Sequence, residues 1–358
     1  MLLVGKIWFH TPSVGEFNTA KPLIEFVKNN KKHTVVLSYS SPRAEEFFKK
    51  QNSVDKIYKL FPPLGFKVKN FLKKEKPDTF ILVESDRYPA LLTAKVERKF
   101  IVNARISKKS FRLLKLFKFF YAKWFNTFEK ILCKDEEDCQ RFHLLGVKSS
   151  ILHLCGNLKA VSKLGEVKKV IKFPTEKFII VLGSTHEGEE EIWLNAFKKI
   201  RQKIPYAVLV IAPRHIGRAN KVCKLAKEKF PNLIIKRRTE ITDTFDGDIL
   251  IVDTLGELLG FYKTANICFV GGSLVKVGGH NLLEPAFFSK PTLYGPYIFK
   301  FKDLERILEN LGLAYKVKNE IDIVQTVINI FKKPPKILKN FENLSMEIFN
   351  CYIQNISI

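Results

Sequence analysis

The residues best suited to handle a nucleotide lie in one stretch, Gly271 to Pro285, which reads GGSLVKVGGHNLLEP after an apolar run ending at Val270. Paired glycines let the backbone come close to a ligand, and the N–H groups of a helix expected to begin near Asn281 would attract a phosphate. Glu284 could accept hydrogen bonds from ribose hydroxyls. A glycine-rich turn serving chain geometry alone is the competing reading, and the company of His280, Asn281 and Glu284 weighs against it. Gly183-Ser-Thr-His-Glu-Gly-Glu189 follows one apolar run and opens a helix. Ala212-Pro-Arg-His215 follows the next run, and Asp253-Thr-Leu-Gly-Glu-Leu258 places Gly256 and Glu257 at another helix start. Arg214 would pair with a phosphate. Singly, Ser184 or Thr185 could be a helix cap and Arg214 a surface arginine; together on the carboxyl edge of one parallel sheet, such loops form a ligand site. Asp246-Gly-Asp248 looks like a metal-binding pair, yet it precedes a strand on the opposite edge, so it reads as a turn and no metal is assigned.

The first half of the chain offers carboxylates. His10-Thr-Pro-Ser-Val-Gly-Glu16 puts Glu16 just inside a helix start, where a carboxylate is a dipole partner or, facing an interdomain cleft, a general base. Glu84 and Asp86 follow another apolar run in Val83-Glu-Ser-Asp-Arg-Tyr-Pro89, and one of them could cap a helix. Between Arg98 and Lys130, basic residues alternate with Phe117, Phe119, Phe120, Trp124 and Phe125, and Glu129 is the lone acid. That mixture suits docking on an anionic membrane, although such aromatics are often core residues and RNA binding uses the same types.

These residues need a frame. Short apolar runs at Lys6 to His10, Thr34 to Ser38, Thr79 to Val83, Phe100 to Asn103 and Lys130 to Cys133 alternate with helical patterns, the first helix starting near Val14. The pattern restarts at Lys177 to Leu182 and continues through Ala207 to Ile211, Leu233 to Ile235, Ile249 to Val252 and Ile267 to Val270. Strands alternating with helices predict an α/β protein with parallel, doubly wound sheets. The boundaries expected are a first domain over 1–155, a lysine-rich linker over 156–174, a second domain over 175–333 and a helical segment over 334–358. At 358 residues, 46% apolar and 27% charged, the chain suits two globular domains rather than a disordered or fibrous state. The excess of 61 Lys and Arg over 36 Asp and Glu, net +25, attracts anionic partners. Six scattered cysteines read as buried or incidental thiols of a reducing compartment, with no zinc site. The N-terminus reads as a first strand and not a signal peptide, and no apolar run is long enough to span a bilayer, so membrane contact is expected to be peripheral.

Taken together, the motifs resemble the Kdo transferases, which attach 3-deoxy-D-manno-octulosonic acid (Kdo) to lipid A precursors. The shared words are Ser13-Val-Gly-Glu16, Asn103-Ala-Arg-Ile-Ser107, Gly156-Asn-Leu-Lys159, Pro213-Arg-His215, Asp253-Thr-Leu-Gly-Glu-Leu258 and Gly278-Gly-His-Asn-Leu-Leu-Glu-Pro285. The resemblance implies a GT-B fold, with two Rossmann-like domains facing across a cleft, and an inverting, metal-independent transfer from CMP-Kdo to lipid IVA in lipopolysaccharide biosynthesis. It implies Glu16 as base, Glu84 and Lys159 as supports of the transition state, and no cofactor beyond the donor substrate. CMP would be held by Pro213 and Arg214, by Leu255, Gly256 and Glu257, and by Asn281, Leu282, Leu283 and Glu284. The expected location is the cytoplasmic face of the inner membrane, with no nucleic-acid partner. Two departures stand out. The sequence as read shows no counterpart of the apolar N-terminal anchor of many members, so docking is expected to rest on the basic aromatic region or the fold's own surface. The family's Glu-Thr-Glu-Leu-Trp-Pro is Glu84-Ser-Asp-Arg-Tyr-Pro89, so different acceptor contacts are expected around Arg87 and Tyr88. A GT-B-like sugar-nucleotide epimerase would share the glycine loops without needing lipid, and a non-catalytic anion- or RNA-binding protein would share the charge.

Overall fold

The computed structural model describes residues 5–31, 33–84, 88–161, 166–299, 302–337 and 340–357. Asp86 and Arg87 lie outside the described residues. The chain divides into two compact units, one formed by Met1–Lys163 with Ser345–Ile358 and the other by Leu164–Leu344.

The first unit holds a seven-stranded sheet of β1 (Lys6–His10), β2 (Thr34–Tyr39), β3 (Lys56–Lys59), β4 (Thr79–Val83), β5 (Arg98–Ala104), β6 (Lys130–Cys133) and β7 (Leu152–Leu154), in the order β3-β2-β1-β4-β5-β6-β7. Its six strand pairings are all parallel. β1 and β4 are central, and their continuous apolar runs follow from being covered on both faces. Trp8 stacks on Phe80 with centroids 4.0 Å apart, and its indole N–H donates to Ser38 Oγ at 2.7 Å.

The C-terminal helix Phe341–Ile356 supplies this unit's last contacts. Ile353 and Ile356 meet Phe9, Leu23, Phe26 and Ile81 around one small void, and Phe349 lies edge-on to Phe26. Tyr352 donates to the Gly156 carbonyl at 2.8 Å. Cys155 and Cys351 are joined as a disulfide across 196 residues, which corrects the expectation that all six cysteines are thiols. Nothing in their spacing marks them as partners; only folding brings the end of the helix to the end of β7.

The second unit repeats the plan with β8 (Phe178–Thr185), β9 (Ala207–Pro213), β10 (Ile235–Arg237), β11 (Ile249–Ile251), β12 (Ile267–Val270), β13 (Thr292–Tyr294) and β14 (Ala314–Lys316), ordered β10-β11-β9-β8-β12-β13-β14 and parallel throughout. Trp193 on the helix Glu189–Lys203 packs against Phe269 of β12, and both are fully buried. Burying side chains of this size is worth about 1.5–3 kcal/mol each.

The boundaries differ from those expected. Leu158 and Ala160 are buried in the first unit, and Ile171 is buried in a core of the second, so the segment 156–174 is shared between two cores instead of hanging free. The segment 334–358 is likewise split, its first part belonging to the second unit and its last residues to the first.

In each sheet the strand order reverses beside the first strand of the unit, between β1 and β4 and between β8 and β12. Ligands of open α/β sheets bind outside the carboxyl ends of the strands at this point. Glu16 and Glu84 follow β1 and β4 at the first reversal, and the segments after β8 and β12 lie at the second.

Candidate active site

In the first unit Glu16 lies one turn beyond β1, third residue of the helix Val14–Lys31. Its Oε2 accepts from the Ser13 N–H at 3.0 Å and from the Ser13 hydroxyl, while the Gly15 N–H donates to Ser13 Oγ at 3.2 Å. This is a capping box, in which the third helical residue reaches back to the cap. It fixes the direction of the carboxylate, which is half-buried.

Glu84 follows β4, the neighbour of β1. It is buried, its φ is +63°, and its N–H donates to the Val102 carbonyl at 2.8 Å. Asn103, the penultimate residue of β5, has φ +48°. Left-handed backbone at two non-glycine residues costs about 1–3 kcal/mol each and is kept only where surroundings over-determine it. Here they do: Asn103 Nδ2 lies 3.4 Å from Glu84 Oε1, Asn103 Oδ1 accepts from the Leu158 N–H at 2.9 Å, and Arg105 pairs with Glu84 Oε2 at 3.3 Å. Lys159 sits in the following short turn, where its N–H donates to Asn157 Oδ1 at 3.0 Å. Asn103 therefore ties Glu84 to the Lys159 loop. Asn103 and Arg105 stand in one of the family's words, but the sequence assigns them no role.

In the second unit the loop after β12 passes very close to β8. The Gly271 N–H donates to the Gly183 carbonyl at 2.8 Å, and a Cβ on Gly271 would stand 2.3 Å from the Ser184 carbonyl oxygen. The glycine is required by backbone approach. The amides that follow are already occupied: Glu189, fully buried at the start of its helix, accepts from Gly272 at 2.7 Å, Ser273 at 3.0 Å, Leu274 at 2.9 Å and His186 at 2.9 Å. The paired glycines thus receive a carboxylate from within the protein. The sequence reading missed Glu189 because three of its four partners lie more than 80 residues away.

The candidate nucleotide-binding residues come after this turn. Gly278 and Gly279 turn back with N–H donors to the Gly272 carbonyl, and His280 follows. The helix begins at Leu283, not near Asn281, and is only five residues long. Asn281 precedes it with Oδ1 accepting from the Leu283 N–H at 3.1 Å and Nδ2 donating to Glu284 at 3.3 Å. Burial pushes the Glu284 carboxyl up, against the opposing bond from Asn281.

Pro213 ends β9, and Arg214 and His215 are exposed beyond it. Glu257 binds Arg238 at 3.1 Å and accepts from the Thr254 hydroxyl, so its carboxylate holds the loop in shape. Leu255, 78% exposed, and Gly256 present that loop's outer edge. Asp248, of the metal-like pair, accepts from Arg201 and from the Ile234 N–H, as a turn residue would.

A family model for 3-deoxy-D-manno-octulosonic-acid transferase (kdotransferase) matches residues 3–162. Over 353 residues the chain is 35% identical to a 3-deoxy-D-manno-octulosonic acid transferase of Aquifex aeolicus (strain VF5), covering 98% of this chain and 93% of that one. The chain belongs to the Kdo transferase family. A Kdo transferase of Rickettsia prowazekii (strain Madrid E) is 30% identical over 371 residues, 98% of this chain and 79% of that one. Among solved structures, a UDP-GlcNAc 2-epimerase from Neisseria meningitidis matches with a TM-score of 0.56 over 98% and 99% of the two chains at 11% identity, which shows a common GT-B architecture and nothing about the reaction. The family makes this chain a glycosyltransferase of lipopolysaccharide biosynthesis. Of the motifs quoted above, Ser13 to Glu16 follows β1 at one strand-order reversal and Gly278 to Pro285 follows β12 at the other; Glu84 follows β4, beside β1.

Proposed function

We propose that this Kdo transferase moves Kdo from CMP-Kdo to a glucosamine hydroxyl of lipid IVA, inverting the anomeric carbon and using no metal ion. The observation carrying the reading is the Glu16 carboxylate, fixed by Ser13 at the carboxyl end of β1 beside the Glu84 strand end. Glu16 takes the proton of the acceptor hydroxyl as its oxygen attacks the anomeric carbon, and the bond to the CMP phosphate breaks with its electrons leaving on CMP. A placed base of this kind contributes about 10²- to 10⁴-fold. Glu84 and Lys159 support the charge developing on the sugar and its leaving group, and Arg214 offsets the phosphate. CMP is held by Pro213 and Arg214, by the loop Leu255 to Glu257, and by Asn281 to Glu284. Glu257 acts by shaping its loop and Leu255 by covering the nucleotide. Mass spectrometry of products from CMP-Kdo and lipid IVA tests donor, acceptor and transfer number together; no mass gain of a Kdo unit on lipid IVA would sink the proposal.

The same reading places the enzyme peripherally on the cytoplasmic face of the inner membrane. Its support is the helix pair Lys108–Leu116 and Lys118–Phe125. Leu114 and Phe125 are buried and hold the pair to the unit, whereas Leu116 (77% exposed), Phe117, Phe119 (79%) and Phe120 stand in solvent. Arg112, Lys115, Lys118 and Lys123 are exposed among them. Apolar side chains that enter an interface, ringed by cations that meet anionic head groups, make a two-signal anchor. Among the described residues no helix is long and apolar enough to cross a membrane. In flotation with vesicles containing phosphatidylglycerol, Phe119→Ser with Phe120→Ser is expected to weaken binding by about tenfold or more. Unchanged flotation would remove the helix pair from the membrane.

A further inference from the structure

We infer that His186 and His280 form a receptor for the donor phosphate that takes up a proton when the nucleotide binds; the inference rests on the CMP-Kdo reading above and deepens it. The two rings come from different loops, after β8 and after β12, at the reversal of strand order. Their Nε2 atoms are 2.8 Å apart, the ring planes differ by 8° and the centroids are separated by 5.1 Å. Parallel planes at that separation, with the nitrogens so close, put the rings edge to edge around one shared proton. One Nε2–H donates and the other Nε2 accepts. The pair can be neutral or carry one positive charge, but it cannot hold a proton on both facing nitrogens.

The groups around His186 favour its neutral form. His215 stands edge-on to His186 with centroids 6.0 Å apart, and Arg214 and Arg218 add positive charge from the loop after β9. Glu190 is the nearby acid working the other way, and Arg218 already holds it with bonds of 2.7 and 3.2 Å. Glu189 accepts the His186 backbone N–H, not a ring proton, and shares its carboxylate with three other amides. Burial, then His215 and Arg218, hold the His186 imidazole below its ordinary range. Gly272 makes space for the pair: with φ +67°, a Cβ there would lie 3.1 Å from one His280 ring carbon and 3.4 Å from one of His186.

A phosphodiester brings one negative charge to this cluster and reverses the balance. The proton comes from solvent, resides on the imidazole pair while the nucleotide is bound and returns when CMP leaves. Its charge is then present as the departing phosphate gains its second negative charge.

The test uses the methyl ester of CMP, a phosphodiester that keeps a single negative charge between pH 6 and 8, with calorimetry in buffers of low and high ionisation enthalpy. The full chain is expected to take up about one proton per ligand, and affinity to fall by up to about tenfold per pH unit above the pair's pKa. His186→Asn and His280→Asn are expected to abolish both effects. Binding with equal enthalpy in both buffers and no pH dependence would overturn the inference alone, as would uptake that persists in the two variants. No binding by the unaltered protein at any of these pH values would overturn the CMP-Kdo reading and this inference with it. Even if a variant fails to fold, the unaltered protein can overturn the inference by showing no uptake.

Discussion

Glu16→Gln is expected to lower turnover by about 10²- to 10⁴-fold while leaving the fold in place. The capping box makes this substitution informative. Glutamine retains an oxygen able to accept the Ser13 N–H, as glutamine commonly does at that position, so the helix start survives. What it loses is the ability to take a proton. Glu16→Ala loses both, and its extra defect is a cap-sized loss of about 0.5–2 kcal/mol in stability. The measurement is single-turnover transfer from CMP-Kdo to lipid IVA, with thermal unfolding of each variant beside it. Two equally inactive variants of which Ala alone is less stable would separate the chemical role from the structural one. Normal turnover in Glu16→Gln would reduce Glu16 to a helix cap.

Glu189→Ala should have the largest effect on stability of any substitution near the nucleotide loops. One buried carboxylate takes four backbone N–H groups, three of them in the turn that follows β12. A smaller side chain leaves those donors without acceptors, the Gly272 and Ser273 N–H groups where they are buried, and each buried group left so carries a penalty of about 1–3 kcal/mol. The penalties overlap, and a total of about 3–5 kcal/mol is expected, the range of severe buried polar losses. Glu189→Gln keeps one acceptor oxygen but aims an NH₂ group at N–H donors, so it should fall between Ala and the unaltered protein. Urea unfolding reads the difference, and affinity for CMP should fall in the same order because His280 and Asn281 follow the same turn. A loss under about 1 kcal/mol in Glu189→Ala would mean that solvent or a shifted backbone satisfies the turn instead.

The central strands could be read almost residue by residue, since β1, β4, β6 and β12 are buried runs whose apolar continuity is a local property. β3, β7, β13 and β14 are three or four residues long, and KIYK, LHL and AYK carry no apolar run from which to infer a strand. They exist because a longer neighbour offers hydrogen bonds. The same division holds at the site. Glu16 was legible because cap and carboxylate are three residues apart, and Glu84 because it follows a buried strand. The roles of Glu189, Asn103 and the His186–His280 pair depend on contacts across tens of residues, and no local pattern announces them. The helix start slipped to Leu283 because the segment from Gly278 to Leu282 is used in turning the chain.

The return of Ser345–Ile358 to the first unit has a bearing on how the molecule is made. Those residues are synthesised after all of the second unit, so the unit whose strands are made first cannot be finished until the second has been made. Phe9, Leu23, Phe26 and Ile81 must wait for Ile353 and Ile356, while the later-made unit already has nearly all of its own chain. The order of completion is the reverse of the order of synthesis. Once the Cys155–Cys351 bond has formed, a protease cut anywhere between those residues opens a ring without releasing a fragment.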